Sequence, residues 1–183
     1  MDSDLSLLPV LPVDGRTAGT YDFCATCPAH LNCCSRVQSG GAIDTPVAMT
    51  DEISKLADFT GLDRQSFSNQ PDIAGSEVSK LKTGASGSGC IFFDGYQCTV
   101  YEVRPFDCRL FPLDVIVDED GQLCWIAYTT LCPIDVDLRR YLDHAESLLA
   151  PMLPHILEYA NYRPIGMARQ PFRKLKVIDL PSR

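Results

Sequence analysis

Nine cysteines constrain this chain more than any other feature: Cys24, Cys27, Cys33 and Cys34 stand together, and Cys90, Cys98, Cys108, Cys124 and Cys132 follow after a long gap. With 183 residues and 45% hydrophobic content, the chain can bury a core without covalent staples, so the cysteines need another reason. In a reducing compartment disulfides do not persist, and clustered thiols there serve as metal ligands or redox groups. The odd total also leaves one cysteine outside any pairwise scheme.

The amino terminus points to such a compartment. Met1 to Leu5 is acidic and has no basic n-region, and Pro9 and Pro12 interrupt the apolar stretch from Leu7 to Leu11, so no secretory signal is read and the cytoplasm is the expected location. No segment approaches the roughly 20 apolar residues of a membrane-spanning helix, so no membrane partner is expected. With 24 acidic against 16 basic residues, the formal charge of −8 repels a phosphate backbone unless the basic groups gather on one face. Nucleic acid is therefore not an expected partner.

Along the chain, residues 1–20 are rich in Pro, Gly and Asp and read as an irregular N-terminal arm. Residues 21–162 read as one cysteine-cluster metal-binding domain, and residues 163–183 as a basic C-terminal tail carrying Arg163, Arg169, Arg173, Lys174, Lys176 and Arg183. That tail is free to dock on its own domain or on a partner. Thr50-Asp51-Glu52 ahead of Ile53, Leu56, Ala57 and Phe59 predicts an N-cap and a helix over 50–60 closed by Gly61. Lys82 to Gly89 reads as a flexible connector. Two hairpins follow, one around Asp94-Gly95 with Cys90 and Cys98 on its arms, the other pairing Leu113–Val117 with Leu123–Tyr128 across Asp118 to Gly121. Leu138, Tyr141, Leu142, Ala145, Leu148 and Leu149 recur at helical spacing, and Pro151 and Pro154 permit a restart through Ile156 and Leu157. The fold class is α+β: a small single domain of short β-hairpins and peripheral helices around a cysteine-ligated metal centre.

Cys24-Ala25-Thr26-Cys27 is a Cys-x-x-Cys turn that brings two sulfurs within reach of one metal. Cys33 and Cys34, then Cys90, Cys98, Cys108 and Cys132, are the further candidate ligands. Neighbouring side chains diverge by about 100° on a helix, so Cys33 and Cys34 either contribute one ligand or face two sites, and the eight cysteines without Cys124 suffice for two four-thiolate sites.

Cys24-x-x-Cys27 with Cys33-Cys34, then Cys90-Ile91-Phe92, then the run from Cys98 through Tyr101, Arg104, Pro105, Cys108 and Arg109 to Phe111-Pro112, is similar to the YkgJ-like cysteine-cluster family. Members of that family are described as zinc- or iron-chelating, often iron–sulfur, proteins. The resemblance covers about residues 24–132, and its Tyr-x-x-Arg-Pro-x-x-Cys-Arg-x-Phe-Pro run is the specific part. It implies no particular reaction. Five residues separate Cys27 from Cys33, a gap that varies in the family, and Cys124 matches no motif and reads as a buried strand residue.

An iron–sulfur cluster, 4Fe-4S in one or two copies, is the expected cofactor, and structural zinc the alternative. Cys-Pro steps at Cys27-Pro28 and Cys132-Pro133 favour the cluster, whereas zinc commonly takes two Cys-x-x-Cys pairs and this chain has one. Arg104 and Arg109 bracket Cys108 and, with Tyr101, are expected to offset cluster charge and donate toward sulfur; the bland reading is an internal ion pair and a packed ring. His30 reads as an exposed loop residue, since thiolates are in surplus.

Glycines 84, 87 and 89 do not form a phosphate loop, because they lead into Cys90 rather than into a helix. The overlapping fragments around Lys82 do not make a penicillin-binding motif, and no hydrolytic triad assembles from His144 or His155. The radical-SAM spacing and any dinucleotide fingerprint are absent, so an electron held here comes from or goes to another molecule. The expected function is an iron–sulfur protein in redox chemistry or as accessory to a modifying enzyme, with a protein redox or enzyme partner. If it is itself an enzyme, it is an iron–sulfur-dependent oxidoreductase or modifying enzyme. The alternative is a zinc-stabilised, non-catalytic interaction module.

Overall fold

The computed structural model describes residue 27 and residues 32–69, 75–132, 138–162 and 165–180. In chain order they form α1 (Cys33–Arg36), β1 (Val47–Met49), α2 (Thr50–Thr60), α3 (Arg64–Phe67), β2 (Val78–Lys80), α4 (Phe106–Leu110), β3 (Leu113–Val117), β4 (Leu123–Tyr128), α5 (Leu138–Leu149), α6 (Ile156–Asn161), α7 (Ile165–Ala168) and β5 (Phe172–Val177). Turns of 3-10 helix at Tyr101–Val103 and Ala150–His155 precede α4 and α6. The class is α+β, with two small antiparallel sheets ordered β1-β2 and β3-β4-β5.

Glu52 and Gly61 set the limits of α2. The Glu52 carboxylate reaches back to accept from the Met49 N–H at 3.1 Å, while Gly61, at φ +69°, donates its N–H to the Ala57 carbonyl at 2.8 Å. The N-cap is Met49 rather than Thr50, because β1 runs straight into the helix and the Thr50 N–H is already bonded to Glu77 beside β2. The hairpin β3-β4 forms at the expected limits, pairing Leu113 with Ala127 and Val117 with Leu123. All six residues of β4 are buried, since apolar side chains cover both faces of the strand.

Two apolar clusters lie on opposite faces of that sheet. Val115, Trp125 and Leu175 pack toward α4, α5 and α6, while Ile116, Ile126 and Tyr128 join Leu56, Phe67, Leu81 and Phe92 on the other side. Cys90 belongs to the second cluster, and Cys33, Cys34 and Cys98 pack against it. Cys124 is fully buried in β4, as expected of a strand residue.

Two local expectations are corrected and a third is narrowed. Residues 84–89 are a hydrogen-bonded turn rather than a flexible connector: Gly84 accepts from Gly87 at 2.9 Å and donates to Gly89 at 2.9 Å, and Gly89 donates to Val37 at 2.8 Å. The arms around Asp94-Gly95 are not strands. They meet only at a single bridge between Phe93 and Cys98, because the Cys90 and Ile91 N–H groups are committed to Cys34 and Lys82. The basic C-terminal segment, left open to dock on its own domain or on a partner, does the former in part: β5 pairs with β4 and sets Lys174 against Asp118 at 2.6 Å and Lys176 against Glu146 at 2.7 Å.

Candidate metal centre

Four separate chain segments carry cysteines to one place, each fixed by its backbone. Asn32, buried, caps α1 by accepting from the Cys34 N–H at 2.9 Å, so Cys33 and Cys34 occupy the first helical turn. The Cys90 N–H donates to the Cys34 carbonyl at 2.7 Å. Cys98 is placed by its bridge to Phe93 and by the next residue, Thr99, whose N–H donates to Phe92 at 2.8 Å. Cys108 sits in the middle of α4, whose first N–H, at Phe106, donates to Glu52 Oε1 at 2.6 Å.

Cys33, Cys34, Cys90, Cys98 and Cys108 line one pocket with a cavity of about 70 Å³. Its walls are otherwise mostly apolar, formed by residues such as Val37, Leu81, Phe92 and Phe111, and Tyr101 and Arg104 also line it. The Arg104 guanidinium lies over the Tyr101 ring, 3.6 Å from its centroid, and donates to the Tyr101 carbonyl at 2.7 Å.

Of the remaining candidate ligands, Cys27 is within electrostatic reach of Cys33 and Arg36. Arg36 also donates to the carbonyl of Leu131, which brings the residue before Cys132 beside α1. Cys24 and His30 lie outside the described residues. Arg109 is not among the pocket's lining residues. Its guanidinium pairs with the buried Glu52 at 3.4 Å, and its Nε is buried without a hydrogen-bond partner among the described residues. The sequence reading missed Glu52 and Asp107 as supports of α4, and missed Met167 of α7, which lines the same pocket. Asp107 lay inside the recognised run, but nothing in the spacing marked Glu52 or Met167.

Adjacent cysteines were expected to diverge, yet Cys33 and Cys34 both line the pocket. The neighbouring thiols raise Cys34 and lower Cys33 and Cys98. Cys34, with lesser help from Arg104, holds Cys98 at about 7. Burial pushes Cys90 up to about 11, and burial followed by the Asp107 charge raises Cys108 well above the thiol range. Ionising all five would crowd like charges in a low-dielectric pocket. A multivalent cation is the group that relieves such crowding, so the donor set fits a thiolate-bound metal. As they stand, no three His, Cys, Asp or Glu side chains among the described residues close round a single point at ion-binding spacing.

Behind Cys108 lies a buried polar cluster. Asp107 accepts from the Val47 N–H at 2.9 Å, and the Tyr159 hydroxyl lies 2.8 Å from Asp107 and 3.2 Å from Asp114, which also accepts from Tyr128 at 2.7 Å. Burial, then the charge of Asp114, raises Asp107 to about 7.

A family model described as "Putative zinc- or iron-chelating domain" matches residues 23–133, a span that contains all nine cysteines. Neither the curated proteins nor the solved structures compared with the chain gave a match. Among the described residues, no helix is long and apolar enough to cross a membrane.

Proposed function

The chain belongs to the CxxCxxCC family of metal-chelating domains, and from that premise we propose that it is an iron–sulfur protein whose cluster is held in the pocket lined by Cys33, Cys34, Cys90, Cys98 and Cys108. The convergence of five thiols from four chain segments on one largely apolar pocket carries this reading. With Cys24, Cys27 and Cys132, the eight cysteines other than Cys124 suffice for two four-thiolate sites. The protein acts in redox chemistry or as accessory to a modifying enzyme, together with a protein partner.

Five thiols line the pocket, one more than a single tetrahedral zinc takes, which favours a cluster over a single ion. A tetrahedral zinc site, with Zn–S near 2.3 Å, draws its sulfurs to about 4 Å from one another. A polynuclear cluster holds its ligands farther apart, and the five thiols here line a cavity of about 70 Å³. When bound, the cluster supplies one-electron chemistry. The chain's own residues do the rest: the apolar walls limit water, Arg104 sets a positive charge beside Cys98, and Tyr101 fixes that charge by stacking.

Structural zinc in a non-catalytic interaction module is the second reading. It is favoured by the family model, whose description names zinc beside iron. Anaerobic purification followed by an absorption spectrum and iron, sulfide and zinc analysis of the same sample separates the two. A brown protein with matched iron and sulfide is expected. A colourless protein with stoichiometric zinc and no sulfide overturns the cluster in favour of zinc.

A further inference from the structure

Met167 stands apart from every other residue of the thiol pocket. It comes from α7, beyond the segment matched by the metal-chelating family, yet it lines the pocket that holds the five cysteines and also the small polar cavity of Asp107, Asp114 and Tyr159 behind it. Its side chain is partly buried against the apolar cluster to which Cys90 belongs. The segment after it is anchored. The Gln170 N–H donates to the Met167 carbonyl at 3.0 Å, the Pro171 carbonyl accepts from the Thr129 N–H at 3.1 Å, and β5 then pairs with β4. Met167 is thereby pinned at the pocket wall by a strand that begins five residues later.

We infer that Met167 is the access-determining residue of the metal centre, an apolar shutter that limits water and competing ligands at the thiolates without binding the metal itself. This rests on the reading that the pocket holds a metal. An unbranched thioether side chain adapts to the irregular wall between the two cavities, and the apolar shell round a metal site controls solvent access to it. The other lining side chains lie within the matched cysteine-bearing segment, whereas Met167 comes from outside it and is anchored through β5.

The test is metal release from the anaerobically purified, metal-loaded full-length protein, followed with bathophenanthroline for iron or 4-(2-pyridylazo)resorcinol for zinc, with far-ultraviolet circular dichroism as a check on the fold. Met167→Ala is expected to release metal roughly tenfold faster than the parent, at the low end of the effect of outer-shell substitutions. Met167→Leu, which keeps the volume but not the sulfur, is expected to restore the parental rate. If Met167→Ala does not fold, Met167→Val is read in the same assay and is expected to fall between the parent and open rates.

Release at the parental rate from folded Met167→Ala or Met167→Val overturns the shutter while leaving the metal site intact. Failure of Met167→Leu to restore the rate also overturns it, since a thioether ligand is then required. A parent protein that carries no metal overturns the underlying metal reading, and the shutter with it.

Discussion

The Cys90 N–H donates to the Cys34 carbonyl at 2.7 Å, so two candidate ligands that stand far apart in sequence are locked by main chain rather than by any metal. The residue before Cys90 makes this approach possible. Gly89 has φ +74°, donates to Val37 at 2.8 Å, and leaves space in which an added Cβ would stand 3.5 Å from the Cys34 carbonyl oxygen.

Gly89→Ala tests that lock. The contact is ordinary in length, so the cost is conformational: a left-handed backbone costs an L-residue about 1–2 kcal/mol. Urea denaturation should show a loss of that size, and metal retention should weaken with it. An unchanged midpoint would mean that the turn at residues 84–89 relaxes to a negative φ without moving Cys90.

Glu52 holds the other end of the site. One carboxylate oxygen accepts from the Phe106 N–H at 2.6 Å and the other from the Met49 N–H at 3.1 Å, with Arg109 at 3.4 Å. Burial raises this carboxyl above the usual range, but the two N–H groups and Arg109 all favour its charged form. Glu52→Gln turns one acceptor into a donor facing an N–H, and leaving a buried group unsatisfied costs about 1–3 kcal/mol. The expected result is a matching fall in unfolding free energy, with metal retention reduced because α4 carries Cys108. Parental stability would show that the helix start does not depend on the carboxylate.

Where chain-local patterning decides the structure, the sequence was legible. Helix α2 and the β3-β4 hairpin formed at the expected limits because Glu52, Gly61 and the Asp118 to Gly121 turn act on neighbours a few residues away. Patterning failed where a distant backbone takes over. The N–H of Cys90 belongs to Cys34, so its arm never pairs as a strand; the glycines before it look like a linker until Val37 is seen to accept from Gly89. Strand β5 was not predicted from the sequence, because Lys174 and Lys176 find their carboxylates on Asp118 and Glu146, far off in sequence; the basic stretch docks on its own domain, one of the two alternatives left open. At the site, the cysteines that line the pocket were legible as candidate ligands, but the partner of Arg109 is Glu52, whose approach to α4 no spacing records.

Asp118 gives the chain an acid-sensitive contact. The Lys174 ammonium, then the Gln122 N–H, hold its carboxyl down at about 2, against about 3.9 for a free aspartate. A depressed folded value means that the ionised carboxylate favours the fold; the contribution is complete above the unfolded value and is lost as pH falls through the folded one. Stability of the parent and of Asp118→Asn, measured from pH 7 downward, should therefore differ at neutral pH and converge between about pH 4 and about pH 2. A difference that stays constant with pH would assign the effect to the turn geometry instead.

Tyr159 stands between Asp107 and Asp114, its hydroxyl 2.8 Å and 3.2 Å from the two carboxylates. Tyr159→Phe keeps the ring packing against Phe106 but leaves two buried like charges with one donor fewer. A loss of about 1–3 kcal/mol is expected, read by thermal or urea unfolding. A neutral result would require that a water replaces the hydroxyl in the adjoining cavity.

Metal removal should reach the fold as a whole. The five pocket cysteines come from α1, the turns at Cys90 and Cys98, and α4, and the short helices and single bridges that carry them have little regular structure of their own. The β3-β4-β5 sheet, by contrast, is buried on both faces of its central strand and carries none of these ligands. A ligand that binds only the folded state at a hundred times its dissociation constant adds about 2.7 kcal/mol, so a chelator should lower the unfolding midpoint of the loaded protein. Hydrogen exchange should then show loss of protection first at residues 33–36 and 90–110, with the amides of β4 protected longest. Uniform loss across both regions would mean that the cysteine layer and the sheet unfold as one unit, with the metal stabilising the whole chain rather than the layer that binds it.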